Sequence, residues 1–471
     1  MAGARVLYSK RVWTRGRDCL VTLRAVLPID DDGRAATYAK IRWRIAPFLI
    51  LLYVVAFLDR VNISFASLSM NRDLRIQESL FGLGAGIFFV GYLLFAIPSN
   101  LMLVRFGARS WIAIIMVVWG VLSTSMAFVQ GASFYILFRF LLGAAEAGFF
   151  PGMILYLTRW LPGKARAGLV ALFVVSIPLS IVIGAPLSNW ILSLGGHGGL
   201  KGWQWLFLLE GIPAVLLGLI VPLLLAEGPE EVRWLTREEK SGVRQALEED
   251  GAASGGDSVK LSLRVLFAEP AVFGYAFQYF ALMIGLYALG FWVPRILSSR
   301  GVAAVSLGWL TAVPFAFGTV GMLVCSRHSD RSGERKWHIF GSFVLGAIGI
   351  GIAAPVQHWV VSLGGLSLAA VGIFSAMPIF WTAVTQSVDA RLSALTIAFV
   401  NSVGNIGGFV GPLLIGSVLQ HTASYTYGLL FTSGSLLCGA LILSRTTVGG
   451  APLSVIDHER HVPAKAKRPR E

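Results

Sequence analysis

The sequence predicts an all-α membrane protein, with twelve transmembrane helices forming two six-helix pseudo-repeat bundles. Three observations predict it. The 471-residue chain is 55% hydrophobic and only 14% charged, with a mean hydropathy of +0.71, whereas soluble domains carry roughly 25% charged residues. Its apolar residues fall into twelve long runs, and a helix needs about 20 such residues to cross about 30 Å of hydrocarbon. Two short motifs recur at one offset of 226 residues.

In order along the chain, residues 1–44 are basic and hold no apolar core, so no cleavable signal peptide is evident. Spans follow near 45–69 and 80–103, separated by a loop with Arg72 and Arg75. The loop beginning at Arg105 leads to 110–130 and 133–157, and that beginning at Arg159 leads to 166–194 and 204–226, with Lys201 between them. Residues 227–269 are a polar central loop. It holds Glu230, Glu231, Arg233, Arg237, Glu238, Glu239 and Lys240, read as a short amphipathic helix, and then the Gly/Ser-rich stretch Gly251–Ser258, read as a flexible tether. The second half repeats the pattern with 270–294, 305–326, 338–356, 359–386, 393–419 and 425–445. The domains expected are therefore 45–226 and 270–445, with a basic tail at 446–471. Continuous apolar runs, not short alternating ones, exclude a barrel.

Charge sets the expected orientation. Of the 39 Lys and Arg, 32 fall on the side that holds both termini, five on the other, and Arg60 and Arg139 within spans. Without the termini the ratio is still 16 to 5. The positive-inside rule then puts both termini and the central loop in the cytoplasm. The net charge of +14 would suggest nucleic acid on a soluble protein, but these cations are dispersed among loops. Cys19, Cys325 and Cys438 are too scattered for a disulfide framework or a metal site, and none of the seven His has a partner at ligand spacing. No nucleophile–base pair or metal motif lies in the spans, so an enzyme is not expected.

The repeat is carried by Arg105-Phe106-Gly107 with Arg331-Ser332-Gly333, and by Gly184-Ala185-Pro186-Leu187 with Val410-Gly411-Pro412-Leu413. Tandem repeats of this kind place a substrate site near the midplane, between the halves. Asp59, Arg60, Arg139 and Glu146 lie in apolar runs of the first half. The positions 226 residues beyond Asp59 and Glu146 are Gly285 and Gly372. A charge in the bilayer costs at least about 2.5–3.5 kcal/mol, so such residues line a wet cavity, pair, or carry ions. Arg139 and Glu146 are seven residues apart and share a helix face. Plainer readings stand beside these. Asp59 and Arg60 could be a structural pair, and Arg139 could snorkel. Asn401 and Asn405 could bond helix to helix along the glycine seam Gly404–Gly411, and Tyr92 and Trp381 could be packing. Gln278, Tyr287 and Trp292 on the seventh span are further cavity candidates.

Asp330-Arg331-Ser332-Gly333-Glu334-Arg335-Lys336 resembles the D-R-x-G-R-R/K loop of the major facilitator superfamily. The first-half copy, Val104-Arg105-Phe106-Gly107-Ala108-Arg109, has Val104 in place of the acid. The resemblance implies that Asp330 caps a neighbouring helix and that Arg331, Arg335, Arg105 and Arg109 hold the cytoplasmic gate, latched differently in the first half. Phe57-Leu58-Asp59-Arg60-Val61-Asn62, Gly91-Tyr92, Pro98-Ser99-Asn100 and Phe138–Gly148 followed by Phe149-Phe150-Pro151-Gly152 resemble the anion:cation symporter branch, as do Arg159-Trp160-Leu161-Pro162 and Gly202-Trp203-Gln204-Trp205. That branch imports organic anions such as tartrate, phthalate, hydroxyphenylacetate and sugar acids. It implies Arg60 and Arg139 as ligands of the substrate anion, with Tyr92, Trp381 and Asn401 also touching substrate, and Asp59 and Glu146 as proton carriers. The fifth span reads Val175-Ser176-Ile177-Pro178-Leu179-Ser180, without the amide that sugar-acid carriers can offer, which favours a smaller or more aromatic carboxylate. The expectation is a monomeric proton symporter of the inner membrane, with a proton gradient as its driving force and no cofactor. An exporter of the same fold is the alternative, although the fifth span lacks the antiporter G-x-x-x-G-P pattern.

Overall fold

The computed structural model describes residues 34–254, 270–388 and 390–446. The basic arm before residue 34, the tether beyond residue 254 and the tail with Lys465–Arg470 lie outside the described residues. Twelve helical segments are long and apolar enough to cross a membrane. The first is built from α1 (Ala35–Val61) and α2 (Ile63–Asp73), joined at Asn62. Then come α3 (Glu78–Phe106), α4 (Ala108–Ser125), α5 (Ala132–Glu146) with α6 (Phe149–Thr158) as one span, α7 (Gly163–Leu192) and α8 (Gly202–Leu224). The central loop carries α9 (Arg237–Ser254). The second bundle is α10 (Pro270–Ser299), α11 (Ala304–Ser332), α12 (Lys336–Ala353), α13 (Trp359–Ser387), α14 (Ala390–Thr422) and α15 (Thr426–Arg445).

The repeat is visible in the helix bounds. The 29-residue helices α3 and α11 begin and end 226 positions apart, each closed by a glycine with positive φ, Gly107 (81°) and Gly333 (69°). A side chain at such a φ is strained, which explains why the shared punctuation ends in glycine. The first span starts ten residues before its hydropathic onset. Its polar first turns are still buried, with Tyr38 and Ile41 in the core and Arg42 Nη2 donating to the Ala165 carbonyl at 2.9 Å.

The bundles are in contact at the end remote from the described chain ends. There Arg295 of α10 pairs with Glu78 of α3 at 2.6 Å, and the Glu78 backbone N–H donates to Gln420 of α14 at 3.0 Å. Asn189 of α7 donates to the Ala304 carbonyl of α11 at 2.9 Å. Gly82 lies flat against Pro412 and Gly416, where an added Cβ would strike the Pro412 carbonyl. At the opposite end ion pairs tie the central loop to the first bundle. Arg109 pairs with Glu231 at 3.6 Å, Arg159 with Glu227, and Lys40 with Glu239 of α9 at 2.9 Å, while Trp160 stacks on Trp234 at 5.9 Å. The central loop is thereby docked on the first bundle.

Candidate functional site

The site forms where two spans are interrupted. The fourth breaks at Ala147-Gly148, directly after Glu146. Pro151, in the first turn of α6, has no N–H to continue the ladder, and Gly148 sits so close to Ser99 that a Cβ would collide with its hydroxyl. Just before the break, Gly143 faces the Phe88 carbonyl and Gly91 faces the Phe140 carbonyl, each with no room for a Cβ. This close approach of α3 and α5 brings Arg139 against the Phe88 ring of α3.

Arg139 is 1% exposed. Its Nε donates to the Gly84 carbonyl at 3.2 Å, and its Nη2 has no hydrogen-bond partner. Its guanidinium lies 5.2 Å from the Phe88 ring centroid and 5.9 Å from that of Phe291, on α10. It is therefore buried between the bundles and does not snorkel. Glu146, 4% exposed, is ion-paired with Arg60. Arg60 also donates to the Tyr287 hydroxyl at 3.1 Å, across the bundle interface, and lies over Phe57 (5.3 Å), Phe88 (5.2 Å) and Tyr92 (5.9 Å). Cation–π attraction contributes most when, as here, the guanidinium is largely desolvated.

Asp59 turns away from Arg60, as adjacent helical residues must, by about 100°. It accepts from Trp119 Nε1 at 2.8 Å, Ser123 Oγ at 2.9 Å and Asn62 Nδ2 at 3.3 Å. Glu210 of α8, 5% exposed, lies nearby in the same bundle and accepts from Ser188 Oγ at 2.6 Å. Sequence reading passed over Glu210. The signal was available, a lone acid in the run Leu206-Phe207-Leu208-Leu209-Glu210-Gly211, and it is the signal that picked out Glu146.

The second half supplies aromatic groups. Tyr287 bonds Arg60, as above. The Trp381 ring meets Tyr279 at 4.8 Å, and Tyr279 is within electrostatic reach of Arg60, Tyr92 and Tyr287. Tyr92, Trp381 and Asn401 are half-buried. The Asn401 carbonyl accepts from Asn405 Nδ2 at 2.9 Å, a bond within α14. Gln278 and Trp292 are fully buried; Gln278 has no partner for its amide, and Trp292 packs edge-on to Phe81 across the bundles at 5.3 Å.

The gating candidates lie apart from this cluster. Asp330 pairs with Arg335 of its own loop at 2.7 Å, and Arg335 donates to Ser329 at 2.8 Å. Asp330, in the last turn of α11, is thereby tied to the residue that precedes α12. Arg331 is exposed, and Arg105 lies over Phe106 at 5.7 Å. Where Val104 replaces the loop acid, Glu231 and Glu227 supply carboxylates to Arg109 and to the adjacent Arg159. No group of three or more potential metal ligands occurs among the described residues.

Comparison with known proteins fits this architecture. Residues 49–412 match the family description "Major Facilitator Superfamily". A protein of Agrobacterium vitis named "Putative tartrate transporter" is 46% identical over 422 residues, 89% of this chain and 94% of that one. A "Quinolone resistance transporter" of Acinetobacter baumannii is 37% identical over 403 residues, 85% of this chain and 93% of that one. The inward-open xylose transporter XylE of E. coli superposes with a TM-score of 0.70 at 16% identity, covering 88% of this chain and 99% of that one, a likeness of fold alone. With twelve spans in two repeated bundles and a matching family model over most of its length, the chain is a multi-pass membrane transporter, not an enzyme, and belongs to the major facilitator superfamily.

Proposed function

We propose that the protein imports a small organic anion, a carboxylate of the tartrate or aromatic-acid class, by proton symport with alternating access across the bacterial inner membrane. One observation carries the reading: Arg139 is a buried guanidinium whose Nη2 has no partner, within electrostatic reach of an acid, Glu146, that is itself engaged by Arg60. A buried cation lacking a counter-ion is costly, and a carboxylate ligand in the rigid fork of an arginine removes that cost. Protonation of Glu146 would release Arg60 to join it. The substrate and the proton then enter together, and the proton cancels the charge of a monocarboxylate or one of the two charges of a dicarboxylate. The name of the tartrate-transporter relative supports the substrate class. The excess of Lys and Arg on the side of the termini, 32 against 5, supports cytoplasmic ends. With that orientation the far-end contacts lie on the periplasmic side.

The test is uptake of radiolabelled tartrate, phthalate and 4-hydroxyphenylacetate into proteoliposomes under an imposed pH gradient, acid outside. Accumulation abolished by an uncoupler is the expected result. An exporter is the competing reading, favoured by the name of the quinolone-resistance relative. It predicts that the uncoupler raises, and does not lower, the cellular content of substrate.

A further inference from the structure

Glu210 is an acid for which the substrate site as described has no use. Its Oε1 is held by Ser188 of α7, while Oε2 has no hydrogen-bond partner. The side chain of Asn62, at the joint between α1 and α2, stands beside it and donates to Asp59 Oδ1 at 3.3 Å. Asp59 and Glu210 are within electrostatic reach of each other, with Glu146 the next acid beyond. The other groups facing the pair are neutral: Trp119 and Ser123 from α4 and Ser188 from α7. Arg60 is committed to Glu146.

Two carboxylates that share a buried site without a cation do not both ionise. The surroundings divide the roles. Asp59 receives three donors, and one of them, Trp119 Nε1, can only donate, so this environment suits the anion. Glu210 is held at Oε1 by Ser188, has the shared Asn62 side chain beside it and keeps Oε2 without a geometric partner, which suits the acid. The count for the whole cluster agrees. Asp59, Glu146 and Glu210 against Arg60 and Arg139 leave one surplus negative charge, and a single proton on Glu210 removes it.

We propose that Glu210 and Asp59 form a second carboxyl pair, apart from the anion-binding arginines, that holds one exchangeable proton on Glu210 Oε2 and takes part in proton coupling. The coupling role rests on the symport reading above; the presence of the shared proton does not. On release, once alternation lets water reach the pair, the proton passes to that water, and hydration lets Glu210 stand anionic beside Asp59. On rebinding the pair returns to one net negative charge.

The experiment has two arms, each on the full chain. Infrared difference spectra of the purified wild type across a pH titration should show the C=O stretch of a buried carboxylic acid at neutral pH. That band should vanish in Glu210→Gln, persist in Glu210→Asp and persist in Glu146→Gln. A band unchanged by Glu210→Gln overturns the proposal. In proteoliposomes, Glu210→Gln should lower tartrate accumulation driven by a pH gradient by about tenfold relative to tartrate exchange in the same vesicles, equivalent to losing the drive of roughly one pH unit. A purely structural role would lower both together, and that result overturns the coupling role. If the wild type shows no gradient-driven uptake but the band still depends on Glu210, the symport reading for tartrate fails while the shared proton stands.

Discussion

Arg60 and Arg139 share one aromatic ring: each guanidinium carbon lies 5.2 Å from the centroid of Phe88. The two cations are therefore at most about 10 Å apart, and Arg60 is held from the opposite bundle by Tyr287. Once Glu146 is protonated, that spacing offers two forks to one ligand. A dicarboxylate should thus compete for uptake more strongly than its monoamide, by about tenfold or more, since a charge-assisted hydrogen bond contributes roughly 1.5–3 kcal/mol. Inhibition constants for such matched pairs check this. Equal potency would mean that only one arginine meets the substrate.

Arg139→Lys keeps the charge and loses the fork. Nε holds the Gly84 carbonyl while Nη2 is free for a ligand, and an ammonium cannot serve both in that planar geometry. The expected result is a rise in transport KM of about tenfold to a hundredfold, with protein yield and thermal stability near wild type. A KM within twofold of wild type would remove Arg139 from the anion site.

Glu146→Gln leaves Arg60 without its counter-ion. Anion binding should strengthen or hold, because the competing internal carboxylate is gone, while accumulation driven by a pH gradient should fall to the level of passive exchange. Thermal-shift titration with tartrate measures the first, since a ligand that binds only the folded state raises stability by mass action. Uptake under an imposed gradient measures the second. Unchanged gradient-driven uptake would exclude Glu146 as the coupling acid.

These residues differ in how legible they were. The spans follow from hydropathy because lipid leaves the backbone no choice but helix, and Glu146 and Arg139 follow because a charge in an apolar run needs a reason. Their partners do not follow. That Arg60 takes Glu146 and leaves Asp59 to Trp119 depends on which way each side chain leaves its helix and on how near α5 approaches α3, a distance set by Gly143 against Phe88 and Gly91 against Phe140. Tyr287, a cavity candidate of the seventh span, and Tyr279, which no local pattern marks, join the cluster from a bundle more than two hundred residues beyond Arg60. The ten extra residues at the start of α1 were hidden for a related reason: Tyr38 and Arg42 are buried by protein, not by lipid.

Gly82 tests the closure of the far end. Its Cα faces the Pro412 carbonyl and Gly416 across the bundle interface, one turn from the Arg295–Glu78 ion pair. These are backbone atoms of α14, and they cannot step aside as a side chain could. Gly82→Val should therefore hold the bundles apart at that end, at a cost to the closed state of roughly 1–3 kcal/mol, enough to shift a two-state population by about tenfold to a hundredfold. Spin labels at Gln77→Cys and Ser298→Cys, in a background without native cysteines, flank this seam on opposite bundles and report the separation. The distance distribution should move to longer values in Gly82→Val. It should stay at the wild-type value in Gly434→Val, where an added Cβ meets nothing within 4 Å. An unshifted distribution in Gly82→Val would mean that α14 yields as a unit, and that the ion pair, not the glycine seam, decides how far this end opens.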